Sequence, residues 1–124
     1  TSFNTIDGIP ASTNRHLMRD ILRGELGFDG VLISDFAAIK ETIAHGYSKN
    51  GEKAAENALR AGVDIDMMTT TYLDHVADLI QKGVLKEELL DESVMRILEL
   101  KNKLGLFENP YKDADEEKEK ELFL

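Results

Sequence analysis

A short apolar run at Gly30–Phe36, G-V-L-I-S-D-F, constrains the fold of this chain more than any other stretch. The run Val31–Ile33 is bounded by turn residues, which is the pattern of a buried β-strand. Good helix formers follow Asp35, so the sequence predicts that the strand passes into a helix. Asp35 then stands at the carboxyl end of a strand, where α/β barrels keep their catalytic groups. Asp is also a favoured N-cap, so Asp35 is a candidate either for chemistry or for capping the next helix.

The rest of the chain alternates between strand and helix patterns. The sequence predicts a strand tail at 1–4, a loop at 6–14 with a turn at Asp7-Gly8, strands at 30–34 and 63–67, and helices at 14–24, 37–44, 52–61, 72–82 and 86–103. This order indicates a parallel α/β sheet with the strand 31–34 between the other two. Three such units fit the last three-eighths of a (β/α)₈ barrel of roughly 250 residues, and they fit a small doubly wound sheet equally well.

Composition excludes several classes of partner. The chain of 124 residues carries a net charge of -9, which argues against binding to nucleic acid or to an anionic membrane. No apolar run approaches the ~20 residues needed to span a bilayer. The chain has no cysteine, which excludes disulfides and thiolate metal sites and favours a reducing, cytoplasmic compartment. The sequence starts without Met or a signal-peptide pattern and ends abruptly, so we expect a piece of a longer polypeptide.

Other polar residues give weaker signals. The three histidines are His16, His45 and His75, and no two of them have the spacing of a zinc site. Asp64 and Asp66 alternate on one strand face and could bind Mg²⁺, but there is no phosphate-binding loop, so we expect them to pair with Arg or Lys. Ser34 does not lie in a G-x-S-x-G motif. We therefore expect no metal site and no cofactor.

Four blocks of sequence resemble glycoside hydrolase family 3, and its β-glucosidase branch most of all. They are S-F-N-T-I-D-G-I-P-A-S-T-N-R-H-L near the start, L-R-G-E-L-G-F-D-G-V-L-I-S-D-F around Asp35, A-G-V-D-I-D-M at 61–67 and L-G-L-F-E-N-P-Y at 104–111. The resemblance implies that residues 1–111 are the C-terminal portion of the family's N-terminal (β/α)₈ domain, about its last three β/α units. Residues 112–124 would then be a charged linker toward an absent second α/β domain.

The resemblance also assigns roles to residues. The family's S-D-W motif falls on Ser34, Asp35 and Phe36, which makes Asp35 the catalytic nucleophile. Phe36 replaces the usual tryptophan and Phe3 replaces a tyrosine found in many members, so both are expected substrate-binding residues that alter sugar preference. The acid/base Glu would lie beyond Leu124, and the Lys-His and Arg residues that bind the sugar would lie before Thr1.

The implied function is that of a retaining, exo-acting β-glycosidase that removes terminal β-D-glucosyl residues through a covalent glycosyl-aspartate. The expected partners are a β-glucoside or oligosaccharide and the remainder of the same polypeptide, with no nucleic acid and no membrane. Helix amides near Asp35 would favour its ionised form, so capping and catalysis are compatible. Two alternatives stay open: a β-xylosidase-like activity of the same family, and a non-catalytic carbohydrate-binding or assembly homologue. The 124 residues alone are expected to be inactive.

Overall fold

The computed structural model describes residues 1–111 and 115–123. Helices dominate: α1 (Ala38–Ala44), α2 (Gly51–Ala61), α3 (Thr71–Gln81), α4 (Glu87–Lys103) and α5 (Glu116–Phe123), preceded by a 3₁₀ turn (Ala11–Thr13) and a π-helix (His16–Glu25). Two short strands, β1 (Thr5–Ile6) and β2 (Ile9–Pro10), pair antiparallel. Extended segments connect the helices, and the chain belongs to the α/β class, as the sequence predicts. No helix among the described residues is long and apolar enough to cross a membrane.

Two extended segments form the part of the sheet that positions the candidate site. We call residues 31–34 the Ser34 segment and residues 63–67 the Asp64 segment. They meet in a parallel bridge between Ile33 and Ile65, which confirms the predicted strand direction. On the other side, the N-terminal amine of Thr1 donates to the carbonyl of Ile33 over 2.8 Å. The Ser34 segment therefore lies between the start of the chain and the Asp64 segment, as predicted.

The pairing is shorter and more irregular than the sequence indicates. Residues 1–4 are not assigned as a strand, and the two segments share a single bridge. The loop predicted at 6–14 contains the hairpin of β1 and β2. Asp7 and Gly8 at its tip both have positive φ, 52° and 77°, as a type I′ hairpin turn requires. An Asp-Gly pair is typical of a hairpin turn, but the sequence prediction treated it only as a turn within a loop.

The first helix also differs from its prediction. It begins at His16 and its turns are closed by bonds between residues five apart, such as Leu26 N to Ile21 O at 2.9 Å. Apolar spacing of three and four residues does not separate such a π-helix from an α-helix. Gly24 suits this geometry, because a Cβ there would come within 3.3 Å of the Arg19 carbonyl.

The core lies where α2 packs between α1 and α3. Its small residues Ala54, Ala55 and Ala58 are fully buried with Leu59 and form the apolar face of the helix. One cluster joins α1, α2 and the Asp64 segment, and a second joins α2, α3 and Leu85. Asn50 caps α2 by accepting from the amide of Lys53 at 3.0 Å, and Gly62 ends the helix in the left-handed conformation. This packing fixes the Asp64 segment against the helices.

The charged tail lies partly within the described residues. α5 places the described side chains of residues 116–122 in solvent, consistent with the mixed-charge pattern. Residues 112–114 and Leu124 lie outside the described residues. The predicted division into 1–111 and 112–124 stays a prediction.

Candidate active site

Asp35 lies at the carboxyl end of the Ser34 segment, where its pairing with the Asp64 segment becomes irregular. Up to Ser34 the bonds follow a parallel ladder: Ile65 N donates to Leu32 O at 3.1 Å, and Ser34 N donates to Ile65 O at 2.9 Å. Beyond that point Met67 N donates to the hydroxyl of Ser34 at 2.8 Å. Ser34 is buried, so this hydroxyl is part of the fold and is not exposed to substrate.

The Asp35 carboxylate is half-buried and binds the backbone beside it. Its Oδ1 atom accepts from the amide of Phe36 at 2.7 Å. The residue at the cap position of α1 is Ala37, and that helix has no side-chain cap bond. The interpretation of Asp35 as the N-cap of the following helix is therefore wrong. The carboxylate is held at the loop, one peptide beyond the strand end.

The loop after Asp35 is tightly wound. Ala37 has a φ of 57°, a left-handed conformation that is uncommon for residues with a Cβ. Its amide donates to the carbonyl of Met67 at 2.7 Å. This bond ties the loop to the end of the Asp64 segment and offsets the cost of the conformation, which is about 1–2 kcal/mol.

The two aromatic residues predicted to bind substrate are both exposed. Phe36 is 59% accessible and Phe3 is 39% accessible. Phe36 follows Asp35 directly. Phe3 is two residues from Thr1. The hydroxyl of Thr1 forms a hydrogen bond with the hydroxyl of Ser12 at 2.8 Å, and its amine donates to the Ser34 segment. Both rings are free to contact a ligand, and their roles stay predictions.

A buried ionic cluster occupies the opposite, amino ends of the two segments. The fully shielded carboxylate of Asp64 binds Arg23 Nη2 at 2.9 Å and Arg96 Nη1 at 2.8 Å. The same carboxylate accepts from the amide of Leu32 at 2.8 Å. The prediction that Asp64 pairs with arginine is therefore confirmed. Through its bonds to the two arginines and the Leu32 amide, the Asp64 carboxylate joins the π-helix and α4 to the Ser34 segment. We call Arg23, Asp64 and Arg96 the Asp64 cluster.

The cluster extends to Glu92 and Arg19. Glu92 Oε2 contacts Arg19 at 2.9 Å and Arg96 at 3.3 Å. Burial alone would raise the pKa of Glu92, but bonding to the two arginines lowers it overall. Burial, and then the charge of Arg96, lowers the pKa of Arg23. Alternating charges thus connect the π-helix, the Asp64 segment and α4.

Among the described residues no cation pairs with Asp66, contrary to the expectation from the sequence. Its Oδ2 atom accepts from the hydroxyl of Thr69 at 2.6 Å and faces the amide of Tyr72 at 3.4 Å. Burial, followed by the charges of Asp66 and Asp64, raises the pKa of the Tyr72 hydroxyl well above its ordinary value. That hydroxyl donates to the carbonyl of Val63 at 2.8 Å, so Tyr72 anchors α3 to the Asp64 segment.

A cavity of about 460 Å³ opens between α1 and the start of α3. Lys40 and His75 lie on its walls, and Met68, Thr69 and Thr70 come from the loop that follows the Asp64 segment. Asp35 is not among its lining residues. The loop after the Asp64 segment lines this cavity, whereas Asp35 lies in the loop after the Ser34 segment.

The structure shows interactions of several residues that the sequence did not predict. Arg19 and Arg23 are charged residues within the predicted helix 14–24, yet their side chains are only 18% and 11% exposed. Arg96 lies 32 residues from Asp64 in sequence, so no local pattern could have paired them. For Ser34, its place at the end of an apolar run was a usable signal. A hydroxyl there can bond a neighbouring backbone.

A partly exposed carboxylate at the carboxyl end of a parallel strand, flanked by helices, defines an α/β protein with a candidate acidic active site. The sequence model described as "Glycosyl hydrolase family 3 N terminal domain" matches residues 1–100. The chain belongs to glycosyl hydrolase family 3.

Individual relatives agree with this assignment. The periplasmic β-glucosidase of Salmonella typhimurium is 39% identical over 110 residues, covering 89% of this chain and 14% of the relative. A putative β-xylosidase of Formosa agariphila is 35% identical over 118 residues, covering 94% of this chain and 16% of the relative. The crystal structure of a β-glucosidase from Listeria innocua in complex with glucose superposes with a TM-score of 0.89 and 57% identity, covering 90% of this chain and 15% of that chain. The chain therefore spans about one seventh of the length of these proteins.

Proposed function

We propose that this chain supplies the nucleophile of a retaining β-glucosidase, and that the nucleophile is Asp35. The observation that carries the proposal is the position of this carboxylate, at the carboxyl end of a parallel segment and directly before the exposed ring of Phe36. Active sites of α/β barrels are built at this end of the strands. Membership of the family and its β-glucosidase relatives support glucose as the sugar.

The proposed reaction has two steps. The Asp35 carboxylate attacks the anomeric carbon, and the bond to the leaving oxygen breaks as an acid/base Glu outside this chain protonates that oxygen. Water, deprotonated by the same Glu, then attacks the glycosyl-aspartate and releases the sugar and Asp35. The bond from the Phe36 amide holds the attacking carboxylate in place for the first step.

We further propose that residues 1–111 are about the last three β/α units of a (β/α)₈ barrel, and that 112–124 lead toward a second domain. Exposed apolar side chains support this proposal. Ile33, in the middle of the Ser34 segment, is 43% exposed, and Leu26, Leu73 and the α4 residues Val94 and Met95 are also exposed. Neighbouring strands and helices from the rest of a barrel would cover such surface.

Trapping of the intermediate tests the proposed nucleophile in the longer protein that contains this chain, called here the full-length protein. A 2-deoxy-2-fluoro-β-glucoside with a good leaving group should leave a covalent sugar on the peptide 30–36, at Asp35. Asp35→Ala should abolish turnover with little loss of melting temperature, whereas the control Asp29→Ala, at an exposed carboxylate before the Ser34 segment, should keep both. An adduct on another carboxylate, or an Asp35→Ala enzyme that retains a tenth of its rate (about 1.4 kcal/mol), would refute the assignment.

β-Xylosidase activity is the second candidate, and the Formosa agariphila relative favours it. Xylose lacks the hydroxymethyl group of glucose, and one carbon in a pocket is worth roughly 10–200-fold in specificity. Comparison of kcat/KM for aryl β-glucoside and aryl β-xyloside decides between them. A xyloside preference of about tenfold or more would replace glucose with xylose and leave Asp35 as the nucleophile.

A further inference from the structure

The ladder between the two segments changes its bonding immediately before Asp35. In a regular parallel ladder the bond after Ser34 N to Ile65 O would run from the Met67 amide to the Ser34 carbonyl. In this structure the Met67 amide donates to the Ser34 hydroxyl instead, at 2.8 Å. The side chain of Ser34 thus takes the ladder position of its own carbonyl.

The next bond shows that the Ser34 side of the ladder contains one extra residue. A regular ladder would pair the amide of Phe36 with the carbonyl of Met67, but the amide of Ala37 makes this bond, at 2.7 Å. One extra residue on one side of a ladder is the arrangement of a β-bulge, which bends the strand and redirects a side chain. The displaced amide of Phe36 donates to the Asp35 carboxylate at 2.7 Å.

We propose that Ser34 is a positioning residue for Asp35: its buried hydroxyl, by holding the Met67 amide, keeps the ladder offset by one residue and so leaves the Phe36 amide free to hold the carboxylate. This inference rests on the proposed function of Asp35. Ser34 itself is a positioning residue and does not touch the sugar, because it is 1% exposed and its hydroxyl bonds the backbone of Met67 in both side-chain hydrogen bonds that it makes with described residues.

Loss of the hydroxyl has a specific consequence. In Ser34→Ala the partly buried amide of Met67 loses its acceptor, and the carbonyl of residue 34, its acceptor in a regular ladder, is the nearest replacement. Movement of the amide to that carbonyl restores the regular register, and the Phe36 amide is drawn toward the Met67 carbonyl. The Asp35 carboxylate loses its bond and shifts, and a displacement of about 1 Å in a reacting group costs on the order of 10²-fold in rate.

The experiment measures the rate at which 2-deoxy-2-fluoro-β-glucoside inactivates the full-length protein and the position of the adduct. For Ser34→Ala we expect the limiting inactivation rate to fall by about 10²-fold, while the inhibition constant for glucose changes by less than about threefold. Ser34→Thr keeps the hydroxyl, and Ser34→Val has the shape of the Thr variant without the hydroxyl. The fluoroglucoside should therefore inactivate the Thr variant much faster than the Val variant.

A buried hydroxyl elsewhere supplies the control. Thr42 is fully buried in α1, and its hydroxyl contacts the Ile39 carbonyl at 2.7 Å and Ser48 Oγ at 2.9 Å. Thr42→Val should lower the melting temperature without changing the inactivation rate.

Two different failures can be told apart. If all Ser34 variants label Asp35 at the wild-type rate, or if Thr42→Val slows labelling as much as Ser34→Ala, the role of Ser34 is refuted. If the wild type is labelled at another carboxylate, the proposed function is refuted as well. Ser34→Ala removes only one oxygen, so it decides the matter even if Ser34→Val fails to fold.

Discussion

Replacement of Asp64 by its neutral isostere, Asp64→Asn, should destabilise the protein strongly. The carboxylate is fully shielded, and Arg23 and Arg96 are only 11% and 18% exposed, so solvent screens the cluster poorly. Asparagine keeps one oxygen for the Leu32 amide but leaves Arg23 without the carboxylate that it binds, and leaves Arg96 with Glu92 alone, at 3.3 Å. Breaking a buried ion pair in this way costs 3–5 kcal/mol in typical cases, and the partial exposure of the arginines favours a value of about 3 kcal/mol.

Thermal unfolding of the full-length protein measures this effect. The melting temperature of a domain of 150–250 residues falls by roughly 2–4 °C per kcal/mol of destabilisation, so the transition of the domain that contains Asp64 should fall by roughly 6–12 °C. Glu52→Gln, which breaks the solvent-exposed pair with Lys82 at 2.8 Å, is the matched control and should not shift the melting temperature beyond experimental scatter. The double variant Asp64→Asn/Arg96→Met should recover part of the loss, because it removes one of the two guanidinium charges that the Asp64 carboxylate balances.

The reasoning would be refuted by a loss of less than about 2 °C for Asp64→Asn, since that corresponds to the weak effect of an exposed pair. It would also be refuted if the double variant lost as much as the two single variants together. Additive losses mean that the carboxylate and the guanidinium do not depend on each other.

Two further predictions concern Tyr72 and the chain by itself. The pKa of Tyr72 is raised in the fold, so its stabilisation is complete below the ordinary tyrosine pKa of ~10 and is lost as the pH rises further, because the unfolded chain ionises first. Melting temperatures between pH 9 and pH 11 (roughly one unit either side) should fall less steeply for Tyr72→Phe than for wild type, and equal slopes would contradict this. The isolated chain 1–124 should bind a hydrophobic dye and lack turnover of aryl β-glucosides, since the proposed acid/base Glu, worth about 10²–10⁴-fold, lies outside it in our proposal. A cooperative melt without dye binding, or saturable turnover, would contradict it.

Sequence patterns predicted the helices and strand directions because those features depend on neighbours along the chain. The apolar face of α2 and its glycine stop at Gly62 were both visible as local signals. The position of Asp35 at a strand end followed from the apolar run and the polar residues after it. The family resemblance added a role for Asp35, which the fold alone does not supply.

The remaining features depend on contacts that sequence does not encode locally. The prediction that Asp35 caps α1 is wrong because Ala37, two residues after Asp35, takes the cap position. Nothing in the composition of the loop indicates which of these two residues caps the helix. The pairing of Asp64 with arginines 41 and 32 residues away arises only when the π-helix and α4 meet the same segment. The offset ladder depends on whether the Met67 amide selects the hydroxyl or the carbonyl of Ser34, a choice between two acceptors of one residue.

Mutations at the two ends of the paired segments have different effects on stability. At the amino ends, the Asp64 cluster tolerates little change, since each member leaves a buried charge when it is lost. At the carboxyl ends, Phe36 and Met68 are largely exposed and can vary at small cost in stability. Only a few residues separate the two regions, so the exposed loops can change by mutation while the buried cluster retains the fold. Such a separation makes the protein evolvable, because its surface at one end can drift while purifying selection preserves foldability at the other.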